Sequence, residues 1–353
     1  MTIVDAKFWR GRRVLLTGHT GFKGAWLSLW LTHLGAEVIG FSAGAPTEPS
    51  LFKLAKLDGR VHSIEGDVRN FGAVSGAVRD FEPEIVIHMA AQPLVRRSYE
   101  DPRETYETNV MGTVNLLEAV RLASRVQVAL VITSDKCYEN HEWIWGYRED
   151  EPMGGHDPYS NSKGCAELVT AAYRRSFFAE KQATRVATAR AGNVIGGGDW
   201  GADRLLPDIF RGALAGEPIA IRNPNSIRPW QHVLNPLSGY LALVQALWHS
   251  PEPPRAFNFG PADEDARPVR WITERITELW GDPIEWHHDV APQPHEAHYL
   301  KLDSALARSV LNWTPTWDLE AGLEHTVAWY RELAARADMT EVTLSQIEAF
   351  EAQ

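Results

Sequence analysis

The chain has 353 residues, enough for two domains or one large doubly wound unit with an appended lobe, and too many for a single small module. Apolar residues make up 44% and charged residues 23%, ordinary globular usage that implies a buried core and excludes a disordered chain. With 46 acidic against 35 basic residues the formal charge is −11, which opposes non-specific binding to nucleic acid or an anionic membrane. An anionic ligand therefore has to meet local positive groups.

The opening stretch, Met1 to Arg10, lacks the long apolar centre of a secretory signal, and apolar runs elsewhere break well short of about 18 residues. The expectation is a cytoplasmic protein with no membrane or nucleic-acid partner. Cys137 and Cys165 are too few for a disulfide framework and have no paired-ligand context, so both are expected reduced, with no metal. The 14 tryptophans are scattered and have no evident collective role.

In chain order, Val14–Thr17 reads as a strand, followed by a glycine turn and a helix over Ala25–Leu34. Further strands are predicted at Glu37–Phe41, His62–Glu65, Glu84–Met89, Gln127–Thr133, Arg185–Arg190 and Ala256–Phe259. Helical patterns fall at Gly72–Phe81, Pro158–Phe178, Val269–Leu279 and Leu319–Ala334, and the final residues read as a mobile helix. Strands alternating with helices imply right-handed crossovers and a parallel sheet covered on both faces, a Rossmann-type doubly wound α/β fold. After Gly192 the texture changes: Gly196-Gly-Gly, Pro207, Pro218, Pro224, Pro229, Pro236 and the Pro251–Pro254 cluster break the alternation. The division expected is a dinucleotide-binding domain over 1–192, with returning segments near 229–262, and a smaller C-terminal lobe formed mainly by 193–353.

Gly18-His19-Thr20-Gly21-Phe22-Lys23-Gly24 lies between the first strand and first helix, where backbone N–H groups can hold a pyrophosphate. Gly18 permits the tight turn, Gly21 a close approach to phosphate, and Gly24 close packing of helix on sheet. A bare glycine turn satisfies the same spacing; the strand–turn–helix context favours the cradle. Tyr159 and Lys163 stand i,i+4 on one helix face, so the lysine can lower the phenol's pKa and the tyrosinate can take a substrate hydroxyl proton as hydride leaves for nicotinamide. A surface Tyr–Lys pair is the plainer alternative. Thr133-Ser134-Asp135-Lys136 ends the fifth strand, at the sheet edge where open α/β folds bind ligands. Ser134 could bind the sugar hydroxyl and Asp135 could protonate a leaving hydroxyl, or the run could simply cap the next turn.

With these stretches in view the sequence resembles the extended short-chain dehydrogenase/reductase family, in particular its nucleotide-sugar 4,6-dehydratases. The resemblance includes His88-Met-Ala90-Ala91-Gln92, Thr108-Asn109-Val-Met-Gly-Thr113, Arg190-Ala-Gly-Asn193 with its glycine run, and Arg228-Pro-Trp-Gln-His232. The dTDP-glucose enzymes usually read Thr-Asp-Glu where Ser134-Asp135-Lys136 stands; members acting on CDP-glucose are similar to this chain. The resemblance implies NAD as cofactor and CDP-D-glucose as substrate, with C4 oxidation, loss of water from C5 and C6, and return of hydride to C6. It implies Tyr159, Lys163, Ser134, Asp135 and Lys136 as catalytic residues, with Lys136, or a group it polarises, handling the C5 proton. It places Ala90, Ala91, Asn109, Asp67 and Val68 with the glycine loop around NAD. Gln92, Asn193, Arg228 and His232 fall around the substrate, although an ordinary loop asparagine and a surface arginine remain open for Asn193 and Arg228. A homodimer or homotetramer is also implied, through helices near Arg103–Leu122 and Asp157–Phe178. The rival readings are a UDP-sugar 4-epimerase, which needs no acid for a C6 hydroxyl, and a catalytically silent NAD-binding module. One departure stands out: Phe41-Ser42-Ala43-Gly44 follows the second strand where dinucleotide folds carry an acid for the adenosine ribose. With no arginine there for a 2′-phosphate, NAD is expected over NADP, held loosely.

Overall fold

Apolar runs separated by helix-length segments build a single wound sheet. The computed structural model describes residues 3–179, 184–249, 256–291 and 299–353. Its strands and helices are β1 Arg13–Thr17, α1 Phe22–His33, β2 Glu37–Ser42, β3 His62–Glu65, α2 Phe71–Phe81, β4 Ile85–His88, α3 Gly112–Leu122, β5 Val128–Ile132, α4 Pro158–Phe177 and β6 Arg185–Arg190. A late strand, β7 at Ala256–Asn258, completes a seven-stranded sheet of order β7-β6-β5-β4-β1-β2-β3, parallel throughout. This is the doubly wound Rossmann-type arrangement expected. Strand order reverses beside β1, which lies between β2 and β4. A crevice therefore opens above the carboxyl ends of β1 and β4, the usual ligand position in such sheets.

The central strands β4 and β5 are buried on both faces, as a covered parallel sheet requires. One face packs against α2, α3 and α4 through residues such as Leu116, Leu117 and Val120. The other packs under α1 and the C-terminal elements. There the scattered tryptophans converge: Trp9, Trp26, Trp30, Trp313, Trp317 and Trp329 are fully buried in one cluster. Their large apolar area fills the space between sheet and lobe.

Beyond β6 come α5 Leu205–Ala215, α6 Leu234–His249, α7 Val269–Trp280, α8 Leu319–Ala334 and α9 Met339–Glu351. Pro207 and Pro236 do not break structure; each occupies the first turn of a helix, where the missing N–H has no intrahelical partner to lose. Short two-stranded pairings, including Val194–Ile195 with Gln231–His232, knit the lobe to the sheet. The Pro251–Pro254 cluster lies outside the described residues.

Two expectations need correction. The helix expected over Arg103–Leu122 is interrupted: Pro102–Tyr106 runs into a π-turn at Glu107–Met111 before α3. The last helix, α9, is docked rather than loose. Ile347 and Phe350 are buried, Trp30 donates its indole N–H to Glu351 at 2.7 Å, and Thr340 donates to the Ala55 carbonyl at 2.9 Å. Among the described residues no helix is long and apolar enough to cross a membrane, and Cys137 and Cys165 are free thiols.

Candidate active site

The glycine loop leads from β1 into α1 at the crevice. Gly18 has φ +74°, and a Cβ there would meet Ala90 N at 2.7 Å, so the β1 turn and the segment after β4 can approach only through glycine. A Cβ on Gly24 would stand 2.1 Å from the Gly18 carbonyl. Gly21 caps α1 with no side-chain hydrogen bond, leaving the helix's first N–H groups for another partner. This bare, closely packed turn fits a dinucleotide pyrophosphate. Ala90 and Ala91 lie beside it, with Ala90 N bonded to Thr17 Oγ1 at 3.2 Å.

At the end of β5, Ser134 donates to Asp135 Oδ1 at 2.8 Å and accepts from Lys136 N at 3.3 Å. Tyr159, brought over by α4, lies beside Ser134, whose hydroxyl acts to lower its pKa. Asn193, held at φ +50°, donates from Nδ2 to Asp135 Oδ2 at 3.3 Å. Ser134 and Asp135 thus lie beside the Tyr159 phenol, with the carboxylate held by Ser134 and Asn193. Burial raises Tyr159 to about 12, opposed by the Ser134 hydrogen bond and the Arg204 charge. Lys163 donates to the Ile132 carbonyl at 3.2 Å, and burial lowers it to about 8. Arg204, rather than the expected Lys163, is the cation that lowers the phenol.

Ser134, Asp135, Lys136, Tyr159 and Asn193 line a cleft of about 370 Å³ whose remaining wall comes from the lobe. Arg96, Arg204, Arg222, Arg228, Lys23 and Lys136 face Asp135, Asp199, Asp203 and Asp208 across it. That is a local cationic surplus in an acidic chain. Arg204 pairs with buried Asp199 at 3.0 Å, while Asp203 bridges Arg222 at 3.1 Å and Arg96 at 3.6 Å. Lys23 enters this cleft too; burial, then the charges of Lys163 and Arg204, lower it to about 7.

Residues 14–260 match the model of the NAD dependent epimerase/dehydratase family. The chain is also 54% identical to a CDP-glucose 4,6-dehydratase of Salmonella typhimurium over 342 residues, covering 96% of this chain and 95% of that protein. The chain belongs to the NAD dependent epimerase/dehydratase family. A dTDP-glucose 4,6-dehydratase of Bacillus anthracis, solved with NAD, superposes with a TM-score of 0.75 at 21% identity, covering 94% of this chain and 100% of that one. A UDP-glucose 4-epimerase of Thermus thermophilus, also solved with NAD, gives 0.79 at 23% identity, covering 90% and 99%. At those identities the structures share the fold.

Within this epimerase/dehydratase frame several residues sit differently from expectation. His232 is a core residue: fully buried, it packs against Trp26 and Trp317, accepts from Leu234 N, and is held neutral by burial. Gln92 turns its amide back onto Leu94 and Thr105 and does not line the cleft. Asn109, at the π-turn, has its amide committed to the Gln92 backbone and to Ser162 Oγ, so it braces the loop after β4 from behind. His19 lies against Gly40 with Nε2 bonded to Ser63 at 2.7 Å, so it gives the loop only its own backbone. Asp67 is paired with Arg69, and Val68 is buried against Gly112. At the second strand end, Ser42 Oγ lies 2.7 Å from Thr20 Oγ1, tying the glycine loop to β2 where the ribose acid is missing. Arg204, Arg96 and Arg222 were not singled out from the sequence. The only signal was Arg204's place five residues beyond Asp199, at the end of the glycine run.

Proposed function

We propose that this protein converts CDP-D-glucose to CDP-4-dehydro-6-deoxy-D-glucose and water, with NAD as its resident cofactor. The observation that carries a dehydratase over an epimerase is Asp135, oriented by Ser134 and Asn193 beside Tyr159. A carboxyl group placed there has no task in C4 epimerisation. The nucleotide is argued from the Salmonella typhimurium relative, which spans nearly the whole chain. NAD, when bound, supplies an acceptor for the hydride of sugar C4 and the donor that returns it to C6.

The residues supply the proton chemistry. Tyr159 removes the C4 hydroxyl proton; Arg204 supplies the positive charge that stabilises the tyrosinate this requires, and Lys163 ties α4 to the end of β5 one turn away. The ketone so formed acidifies C5–H. Asp135 in its protonated form delivers a proton to the departing C6 hydroxyl, and Lys136 at the cleft wall serves the C5 proton. Ser134 holds the C4 oxygen between Tyr159 and Asp135. Arg228 and Arg204, with Asn193, meet the diphosphate, for which paired guanidinium N–H groups are well matched.

The same reading assigns residues 1–192, with 229–262, to the cofactor half and the rest of 193–353 to the nucleotide sugar. It places the enzyme in the cytoplasm as a homo-oligomer, supplying a CDP-linked deoxysugar for surface polysaccharide. Exposed Met111, at the start of α3, and Leu168, on the neighbouring α4, support pairing through that face. The test is incubation with CDP-, dTDP-, GDP- and UDP-hexoses. A 4-keto product from CDP-glucose is expected, whereas simple C4 epimerisation would overturn the proposal.

A further inference from the structure

One turn beyond Lys163 and two beyond Tyr159, α4 carries Glu167, buried and unused by the chemistry above. An isolated carboxylate at that depth would be costly. This one accepts four hydrogen bonds: Thr133 Oγ1 at 2.5 Å and Arg190 Nε at 2.9 Å on one oxygen, Thr188 Oγ1 at 2.7 Å and Arg190 Nη2 at 2.8 Å on the other. Arg190 continues through Nη1 to the Tyr138 hydroxyl at 2.5 Å, and Tyr138 donates to Asn258 at 2.8 Å. The partners come from the carboxyl ends of three adjacent strands, β5, β6 and β7. Consecutive residues of one chain segment therefore grip consecutive turns of one helix. Ile132 takes Lys163 through its carbonyl, and Thr133 takes Glu167 through its hydroxyl. The next two residues of that segment are Ser134 and Asp135.

We propose that Glu167, clamped by Arg190, is a positioning residue for the Tyr159–Lys163 pair: it fixes α4 over the end of β5 and sets its carboxylate one helical turn from the Lys163 ammonium. The proposal rests on the reading in which Tyr159 and Lys163 face the substrate. The groups acting on Lys163 come from every side. Burial opposes its protonation, Glu167 on α4 and then Cys137 after β5 favour it, and its own charge lowers Lys23 on α1. His88 on β4 is kept neutral by burial and by Lys163 itself. Glu167 is the carboxylate in that set.

Glu167→Gln alone would strand the buried Arg190 charge and unfold the protein for trivial reasons. The decisive variant is Glu167→Gln/Arg190→Met, which removes both charges and keeps their volume. In protein labelled with 13C-lysine, with the Lys163 Cε resonance assigned through Lys163→Met, its titration is expected about one pH unit lower than in the parent. The alkaline limb of turnover should move with it, and kcat should fall about tenfold with little change in KM. A folded double variant with both midpoints unmoved would overturn the proposal. If the double variant does not fold, Glu167→Asp decides: it keeps the charge and shortens the arm, so lowered kcat with an unmoved Lys163 titration is expected, and full kcat overturns it. Failure of the parent protein to act on CDP-glucose would remove the proposed substrate, while the Lys163 titration would still decide the role of Glu167.

Discussion

Gly192 and Asp135 occupy space that only one of them can enlarge: a Cβ on Gly192 would lie 1.9 Å from Asp135 Oδ2. Gly192→Ala should therefore push the carboxylate off Ser134 and Asn193. Turnover is expected to fall at least about tenfold, since misplacing a proton-transfer group forfeits much of its contribution, while NAD affinity and the melting temperature stay near the parent values. A parent-like rate would show that Asp135 relocates without consequence.

Tyr159 and Asp135 should fail differently. Tyr159→Phe removes the proton acceptor for the C4 hydroxyl and should slow oxidation by about 10²–10⁴-fold. Asp135→Asn leaves that step possible but impairs loss of the C6 hydroxyl, so absorbance of reduced cofactor should build up on the enzyme during turnover. Identical behaviour of the two variants, with no such absorbance, would refute this division of labour.

The reaction should consume no net NAD⁺. Deuterium placed at C4 of CDP-D-glucose should be found at C6 of the product by NMR, because one hydride leaves and returns. Its loss to solvent would contradict the proposed sequence.

A charge-assisted hydrogen bond contributes roughly 1.5–3 kcal/mol, or about one to two decades of affinity, and Ser42 offers a neutral hydroxyl already paired with Thr20. Protein recovered from gel filtration should therefore be partly empty of NAD and gain activity when NAD⁺ is added. Ser42→Asp should raise the retained cofactor. Full occupancy in the parent would mean that contacts elsewhere compensate.

His88 is held to about 3 by burial first and by the Lys163 charge second, against an ordinary value of 6.5. Between those two pH values the unfolded chain binds a proton that the folded chain refuses, so stability falls as pH drops through that window. His19, lowered to about 4 by burial, acts in the same direction. Urea midpoints measured from pH 7 to pH 4 should fall less steeply for His88→Gln than for the parent; equal slopes would remove His88 from the account.

The inner strands β4 and β5 were legible because strands covered on both faces are short continuous apolar runs; β6 falls on the residues read for it, and so does β3, although it is a largely exposed edge strand. The glycine loop, the β5 end and the Tyr159 helix were legible because each motif lies within one local stretch. Arg204, Arg96 and Arg222 were not, since they reach the cleft from loops whose path depends on tertiary packing. His232 was misplaced for a related reason: its motif lies at the cleft, but its own side chain turns into the tryptophan cluster. The helix α9 was read as loose from its terminal position, although its apolar positions carry it onto α1.

That docking has a consequence for biosynthesis. Trp30 and Glu351 are 321 residues apart in the chain, yet the second covers the helix that carries the glycine loop. While the chain is being made, the nucleotide-binding half emerges first, and the part of α1 that α9 covers stays exposed until Met339–Glu351 follow. Chains still lacking α9 would present that surface to chaperones.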